Sequence, residues 1–327
     1  MRAMLLEQPG QDLKPVERAD PEPGPGQVRL RIEACGVCRT DLHLFDGDLP
    51  QARYPLIPGH EIVGRIDAIG SEVSGLRQGQ RIGVPWLGHC CGQCTFCLGG
   101  QENLCPEAAF TGCQLPGGYA EATLVEAAFA IPLPEQKDAA SLAPLLCAGL
   151  IGFRAYRFAG EARRLGLFGF GAAAHLLTQL AVQQGREVFA FTRPGDEKGQ
   201  AFAYSLGATW AGGSDQAPPS PLDAALLFAP VGALVPAALE AVRPGGQVIC
   251  AGIHMSEIPA FPYRLLWQER SLRSVANLTR EDGRAFLAAV EAHPIESRVH
   301  PYPLHEANQA WQDLRQGRLH GAAVLIP

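Results

Sequence analysis

The chain has no excess of positive charge and no long apolar segment, and these absences exclude several classes of protein. Its 327 residues carry a net charge of -6, which argues against nucleic acid or an anionic membrane as the main partner. No apolar run approaches the roughly 20 residues that a membrane span needs. Residues 1–9 contain neither a basic patch nor the apolar stretch of a secretory signal. We therefore expect a cytoplasmic protein whose partner is neither nucleic acid nor a membrane.

The pattern of strand-like and helix-like segments changes near residue 138, which predicts two domains of different architecture. Before it, short strand-like runs such as 28–33 and 62–69 alternate with Gly/Pro turns, as in a β-rich domain with long loops. After it, strand-like and helix-like segments alternate, beginning with 165–168 and 172–184. That alternation is typical of a doubly wound parallel sheet of the Rossmann type. The last 30 or so residues return to mixed short elements, so we expect the Rossmann block to be inserted into the β-rich domain.

Ten cysteines in a cytoplasmic chain indicate metal binding or chemistry more than disulfides, because that compartment keeps thiols reduced. Four of them lie within fifteen residues of glycine-rich sequence: Cys91, Cys94, Cys97 and Cys105. Tight turns let four such sulfurs converge at about 2.3 Å on a tetrahedral Zn²⁺ whose closed shell braces a loop. The alternative is a set of free surface cysteines. We interpret the neighbouring His89 and Cys90 as bystanders, since four thiolates already fill the shell.

A second, dispersed set of metal-binding residue types consists of Cys38, His60, Glu61 and Cys147. Each is a weak signal alone: Cys35-x2-Cys38 also fits a redox pair, Cys147 a core cysteine, and His60 a structural turn histidine. Taken together, two thiolates and one imidazole with a water as fourth ligand form the shell that catalytic zinc uses in alcohol oxidation.

A dinucleotide-binding loop is predicted at Gly169-Phe-Gly171-Ala-Ala-Ala174, which follows a strand and opens a helix. The first glycine permits the tight turn, the second lets the backbone approach a pyrophosphate, and Ala174 allows close helix packing. Thr192-Arg193 stands at the end of the next strand, where an acid would bind the ribose diol. A hydroxyl and a guanidinium suit a 2′-phosphate, so NADP(H) is favoured over NAD(H). Alternatively, Arg193 is solvated and Asp196 or Glu197 turns back toward the ribose.

The sequence resembles, along nearly its whole length, the zinc-dependent alcohol dehydrogenases of the medium-chain dehydrogenase/reductase superfamily. The matching segments are 35–43 (CGVCRTDLH), 58–61 (PGHE), the four-cysteine lobe and 145–149 (LLCAG). The resemblance implies an α/β protein with a GroES-like, β-rich catalytic domain at 1–147 and 281–327, which carries the structural zinc lobe. It further implies a Rossmann dinucleotide-binding domain with a doubly wound parallel sheet at 148–280.

The same resemblance implies roles for individual residues. Cys38, His60 and Cys147 match the ligands of the catalytic zinc, and Glu61 matches a nearby carboxylate that can approach the metal. Asp41 matches the acid that hydrogen-bonds a ligating histidine, although a loop cap is the plainer explanation. Further matches are the proton relay, Thr40 and His43, and the substrate pocket, Phe45, Leu49 and Trp86. Thr40 and His43 could instead only pack a turn, and Trp86 could belong to the core.

The implied enzyme transfers hydride between a small-molecule alcohol, held as an alkoxide on the catalytic zinc, and NAD(P). It would hold two Zn²⁺ per subunit and form a homodimer or homotetramer. One departure is Ile151, where many members carry a threonine near the nicotinamide. The competing hypotheses are a quinone or enone reductase of the same superfamily, a zinc-braced non-enzymatic binding protein, and a thiol redox protein built on Cys35 and Cys38. We assign no role to the cysteines Cys35, Cys90, Cys113 and Cys250.

Overall fold

Two compact units make up the chain in a computed structural model, which describes residues 1–319 and 321–327. The first unit consists of Met1–Cys147, Asn277–Arg284 and Glu296–Pro327. The second consists of Ala148–Ala276 and Ala285–Ile295. The assignment of 1–147 with 281–327 to catalysis and of 148–280 to nucleotide binding stays a prediction.

Strands supply the framework of both units. In chain order they are β1 (Arg2–Leu5), β2 (Lys14–Glu17), β3 (Gln27–Val37), β4 (Glu61–Ile69), β5 (Arg81–Val84), β6 (Leu87–His89), β7 (Ala109–Phe110), β8 (Ala122–Glu126), β9 (Ile131–Pro132), β10 (Arg164–Phe168), β11 (Glu187–Thr192), β12 (Trp210–Gly213), β13 (Leu222–Leu227), β14 (Val242–Cys250), β15 (Ser271–Ser274), β16 (Val299–Pro303) and β17 (Ala322–Ile326).

The α-helices lie between these strands. They are α1 (Arg39–Asp46), α2 (Thr95–Leu98), α3 (Ala139–Leu142), α4 (Ala148–Phe158), α5 (Ala172–Gln183), α6 (Glu197–Ser205), α7 (Leu234–Ala241), α8 (Arg280–Ala292) and α9 (Ala307–Arg315). No single helix in the described part of the chain is long and apolar enough to cross a membrane. The bent helix pair 139–146 and 148–158 meets that test of length and composition only when its two parts are joined.

The first unit is built on a sheet in the order β16-β17-β3-β4-β5-β9, with β8 also paired to β3. Along β3, buried residues such as Val28 and Leu30 alternate with half-buried polar ones, the pattern of a strand with one face toward the core. Strands β3 and β4 run antiparallel, and their register pairs Gly36 with Glu61. This pairing brings the residues that follow β3 next to those that precede β4.

The second unit contains a six-stranded sheet, all parallel, in the order β12-β11-β10-β13-β14-β15. It confirms the predicted doubly wound parallel sheet. The core includes Phe168 and Phe191, whose stacked rings lie 3.9 Å apart between centroids. The strand order reverses at β10, so the loop after this strand lies at the point where such sheets bind nucleotides. Strand β14 starts at Val242, and its ladder with β13 is irregular near that end.

Candidate active site

Helix α1 begins directly after Cys38 and places four of the predicted site residues, Thr40, Asp41, His43 and Phe45. The main-chain N–H of Cys38 donates to Asp41 Oδ2 at 2.8 Å, so the Asp41 carboxylate caps the first turn of the helix. Asp41 is fully buried, and its other oxygen, Oδ1, lies 3.5 Å from Nδ1 of His60. Both explanations for Asp41 therefore describe the same side chain: it caps α1 and faces His60.

Cys38, His60, Glu61 and Cys147 converge within the first unit. One ligand atom from each of these residues lies within 4.8 Å of those from the other three, and the sulfurs of Cys38 and Cys147 are 3.6 Å apart. Two sulfurs that bind the same tetrahedral zinc ion at about 2.3 Å lie roughly 3.8 Å from each other. The spacing of the two thiols therefore fits a shared zinc ion.

The polar atoms of this group are buried without enough protein partners. Among the described residues, both ring nitrogens of His60, Oε2 of Glu61 and Oδ1 of Asp41 have no hydrogen-bond partner. A buried polar group left unpaired costs about 1–3 kcal/mol, so native proteins rarely leave several together. A bound cation would satisfy the imidazole and the thiolates at once. The donor set fits a metal site on this ground as well as by distance.

Charge in the site follows from burial and from the contact between the two thiols. The contact with Cys147 lowers the pKa of Cys38 well below its usual range and raises the pKa of Cys147. Burial raises the pKa of the Glu61 carboxyl well above its ordinary value. Cys38 is thereby favoured as a thiolate, the form of cysteine that binds metal.

Two glycines make room for this group. Any Cβ on Gly36 would lie 1.8 Å from Oε2 of Glu61. Gly59 has φ of +99°, and a Cβ there would lie 2.5 Å from the Tyr119 ring. Only glycine accepts the positive φ at Gly59 and the close approaches at both positions. This requirement explains why glycine stands at these two places in the segments around Cys38 and His60.

Thr40 and His43 lie three residues apart on α1 and hence on neighbouring positions of one helix face. Thr40 is buried, with its hydroxyl oxygen 3.7 Å from the Cys38 sulfur. His43 is more accessible, and its Nδ1 lies 2.8 Å from Oδ2 of Asp48. The pair therefore leads from the thiol group toward a partly exposed imidazole, and Asp48 orients that ring.

The three predicted pocket residues have different surroundings. The Trp86 ring meets His60 edge-on with centroids 4.7 Å apart and stacks on Phe110 at 5.2 Å. Phe45 instead packs against Trp311 of α9, and Leu49 is buried in the core of the unit. Trp86 thus belongs both to the core and to the surroundings of His60. A role in substrate binding stays a prediction for Phe45, Leu49 and Trp86.

The four-cysteine lobe forms a second compact group of sulfurs, all within 4.8 Å of one another. Cys94 lies 3.5 Å from Cys97, and Cys91 lies 3.5 Å from Cys105, again as expected for sulfurs on one zinc. Main-chain N–H groups of Cys91, Cys94 and Glu107 point at these sulfurs at 3.4 Å. His89 contacts Glu126 through Nδ1 at 2.6 Å, so its ring is engaged elsewhere. Neither His89 nor Cys90 belongs to the group.

The glycine loop of the second unit has the geometry that its motif predicts. Gly169 follows β10 with φ of +90°, and a Cβ there would lie 2.6 Å from the main-chain nitrogen of Ala229. Gly171 caps the N-terminus of α5, and no atom lies within 4 Å of the place where its Cβ would be. Ala174 is fully buried against the rest of the unit. The open space at Gly171 suits an anion that approaches the positive end of α5.

At the end of β11, Thr192 and Arg193 differ in how available their side chains are to a ligand. The Thr192 hydroxyl is buried, lies within 3.3 Å of the carbonyl oxygens of Arg193 and Gly212, and accepts a hydrogen bond from Gln200. Its hydrogen-bonding capacity is therefore used inside the fold. The carboxylate of Asp196 accepts the main-chain N–H of Gly199 as the cap of α6. Arg193 is exposed, so its guanidinium can reach a ligand.

Comparison with known proteins places these two units in a family. Residues 24–135 match the model of the alcohol dehydrogenase GroES-like domain. The whole chain aligns, at 46% identity, with 97% of a probable alcohol dehydrogenase, AdhA, from Mycobacterium tuberculosis. This chain belongs to the zinc-dependent alcohol dehydrogenase family of the medium-chain dehydrogenase/reductase superfamily. An alcohol dehydrogenase from a Moraxella species is 33% identical over 99% of each chain.

A solved structure supports the same family. It is the cobalt- and zinc-bound thermostable alcohol dehydrogenase from Pyrobaculum aerophilum, with a TM-score of 0.90, 28% identity, and coverage of 100% of this chain and 99% of that one. The predicted family, the GroES-like and Rossmann fold classes and the oxidoreductase activity are thereby confirmed. The quinone or enone reductase and the non-enzymatic binding protein are not favoured.

Several residues of this dehydrogenase site were missed by reasoning from sequence. Asp48 lies beyond the matching segments, and Phe110 and Tyr119 belong to other parts of the chain. Trp311 lies in the C-terminal part of the first unit, far along the chain from every predicted site residue. None of them carries a spacing signal: Asp48 reaches His43 from five residues further along the chain, and the other three reach the site through tertiary packing.

Proposed function

We propose that the protein interconverts a small-molecule alcohol and its aldehyde or ketone at a catalytic zinc held by Cys38, His60 and Cys147. The observation that carries the proposal is the convergence of two thiols and an imidazole in a buried group whose polar atoms lack partners. When bound, zinc supplies Lewis-acid polarisation of the substrate oxygen, which favours loss of its proton. The buried Glu61 carboxyl lies beside the ligands and is placed to approach the metal.

The remaining residues would position groups and move protons. Asp41 orients His60, while Thr40 accepts the hydroxyl proton of the alcohol at the buried end of the path and gives up its own hydroxyl proton toward His43. His43 releases a proton to solvent at the more accessible end, a step that suits an imidazole because this ring can both accept and donate a proton. Asp48 fixes the ring of His43, and Trp86 supplies an apolar wall beside His60 that limits access of water.

We assign a second, structural zinc to Cys91, Cys94, Cys97 and Cys105. Four sulfurs fill a tetrahedral shell and leave no position for substrate, so this ion would brace the lobe and take no part in the reaction. The N–H groups that point at the sulfurs would stabilise their negative charge.

For the cofactor we propose a nicotinamide dinucleotide, with NADP(H) preferred over NAD(H). Gly169, Gly171 and Ala174 shape the turn at which the N-terminus of α5 would bind the pyrophosphate. Arg193 would bind the 2′-phosphate, and the buried Thr192 would hold the end of β11 that presents it. The N-cap role of Asp196 supports this choice, because its carboxylate is engaged away from a ribose diol.

The function is tested by metal content and by steady-state rates with both nucleotides. The purified protein should contain two zinc ions per chain and reduce aldehydes with a higher kcat/KM for NADPH than for NADH. One zinc or none, or full activity after zinc removal, would contradict the proposal. A higher kcat/KM for NADH would overturn the cofactor preference alone.

Arg193→Ala should raise KM for NADPH about 10–100-fold and leave KM for NADH within about twofold. The reason is that a charge-assisted hydrogen bond contributes about 1.5–3 kcal/mol, and 1.4 kcal/mol is a tenfold change in affinity. Arg163→Ala is the matched control: Arg163 is also exposed, its guanidinium pairs with Glu187 at the start of the neighbouring strand, and its loss should change neither KM. An equal effect of Arg193→Ala on both nucleotides would argue against 2′-phosphate recognition.

We further propose that residues 1–147 with 281–327 form the catalytic domain and that 148–280 form the nucleotide-binding domain. Ten free cysteines, six of them in the proposed zinc sites, favour a reducing compartment, so we propose a cytoplasmic location. By analogy with the family, the active form would be a homodimer or homotetramer. Light scattering coupled to size exclusion measures that state directly.

A further inference from the structure

A chain of buried polar groups leads from helix α9 to the proposed zinc ligand His60. The indole N–H of Trp311 donates to the hydroxyl of Tyr119 at 3.0 Å. That hydroxyl donates to Oδ2 of Asp41 at 3.0 Å, and Oδ1 of Asp41 faces Nδ1 of His60 at 3.5 Å. Tyr119, Asp41 and His60 are fully buried, and Trp311 is 4% exposed.

The direction of these hydrogen bonds is set by chemistry. An indole N–H can only donate, so Trp311 must use a lone pair of the Tyr119 oxygen. The single proton of the Tyr119 hydroxyl is then directed to Asp41. Asp41 consequently remains an acceptor, and its second oxygen, which lies 3.5 Å from Nδ1 of His60, is placed to accept the N–H of that nitrogen after a small approach of the two side chains. That arrangement selects the tautomer in which Nε2 carries the lone pair that a metal needs.

The hydrogen bonds of the Tyr119 hydroxyl can be tested separately from the packing of the Tyr119 ring. The ring fills the space left by Gly59, where a Cβ would lie 2.5 Å away. A phenylalanine would fill the same space, so what the hydroxyl adds is two hydrogen bonds in a site shielded from water. Trp311 likewise packs edge-on against Phe45 of α1, with centroids 5.7 Å apart, and its N–H is a separate contribution.

We propose that Tyr119 and Trp311 are positioning residues that hold Asp41, and through it His60, in the orientation and tautomer required for zinc binding. The inference rests on the proposed catalytic zinc site and extends it to two residues that do not contact the metal. It assigns helix α9 a part in metal retention: through Trp311 it determines how firmly His60 holds the ion.

The test is zinc release to a chromogenic chelator from the full-length, two-zinc protein, which resolves a catalytic-site phase and a structural-site phase. Changing the acid or base that orients a metal ligand typically costs 10–100-fold in metal affinity, so Tyr119→Phe should speed the catalytic phase about tenfold. The four-cysteine phase is an internal control and should not change. Tyr302→Phe is the matched variant, since it also removes a tyrosine hydroxyl that donates to a carboxylate, Asp313, in the same unit.

A double-mutant cycle with Trp311→Phe tests whether the two residues act in series. Trp311→Phe alone should speed the catalytic phase a few-fold, and it should add little further in the Tyr119→Phe background because the link to Asp41 is already cut. An unchanged catalytic phase in Tyr119→Phe would overturn the inference. So would equal acceleration of both phases, which would mean a general loss of stability, or a fully additive cycle.

The wild-type measurement separates this inference from the proposed function. A wild-type protein without the second zinc would contradict the catalytic site itself. Two zinc ions in the wild type, followed by no selective effect of Tyr119→Phe, would contradict only the positioning role.

Discussion

Cys147→Ser is expected to lower kcat/KM for alcohol oxidation by at least roughly 1,000-fold, since changes outside the ligand shell already cost 10–100-fold. The substitution keeps the size of the side chain and replaces a thiolate by a hydroxyl, which stays protonated near neutral pH and is a poor zinc ligand. Cys38 and His60 would remain as two ligands of a site that requires three. The zinc content should fall from two ions per chain to one.

Metal analysis, steady-state kinetics and circular dichroism on the same preparation measure this effect. Cys113→Ser is the matched control, because Cys113 is a buried cysteine of the same unit that belongs to neither sulfur group. Burial raises its pKa to about 12, so it is a neutral thiol whose loss should leave zinc content and activity intact. If Cys147→Ser retained two zinc ions and wild-type activity, the catalytic site would be wrongly assigned.

Cys94→Ser is expected to lower Tm by about 8–16 °C without abolishing the reaction of the molecules that remain folded. The free energy of zinc binding reaches roughly 10 kcal/mol in small zinc-dependent domains. Loss of even about 4 kcal/mol corresponds to that shift in Tm for a unit of this size, at about 2–4 °C per kcal/mol. The lobe depends on the metal because its α2 is a single turn, Thr95–Leu98, with no buried residue of its own.

Thermal unfolding and zinc content of Cys94→Ser, with and without a chelator, test the predicted loss of stability. Cys90→Ser is the control in the same lobe, since Cys90 is next to the cluster but outside it. It should keep both zinc ions and the wild-type Tm. A Cys94→Ser protein that unfolded at the wild-type temperature would show that the cluster does not stabilise the lobe.

The sequence alone was sufficient where the ligands are neighbours in the chain. Cys91, Cys94, Cys97 and Cys105 stand within fifteen residues, so local turns bring their sulfurs together and spacing predicts the group. The same holds for Gly169 and Gly171, whose positions in a strand-turn-helix determine the loop. The alternation of strands and helices after residue 138 likewise predicted the parallel sheet, because each such unit is local.

The dispersed group needed more than spacing. Cys38 and Cys147 are 109 residues apart, and nothing in the local sequence of either one points to the other. Resemblance to a family linked them. In the structure, the β3–β4 register places Cys38 beside His60 and Glu61, and the segment Ala143–Leu146 before Cys147 packs against the same two strands. Thr192 shows the opposite case: a plausible phosphate ligand in sequence has its hydroxyl used inside the fold.

Only the tertiary structure decided what surrounds His60. Tyr119 reaches Asp41 across 78 residues, and Trp311 reaches Tyr119 across 192. Tyrosine and tryptophan have no characteristic spacing in such sites, so no sequence pattern marks Tyr119 and Trp311 in advance. The role of each side chain depends on which buried oxygen its polar group contacts. The packing of α9 against α1 determines those contacts. The sequence therefore determined the zinc-binding residue types and the fold class, and packing determined how one of those ligands is held.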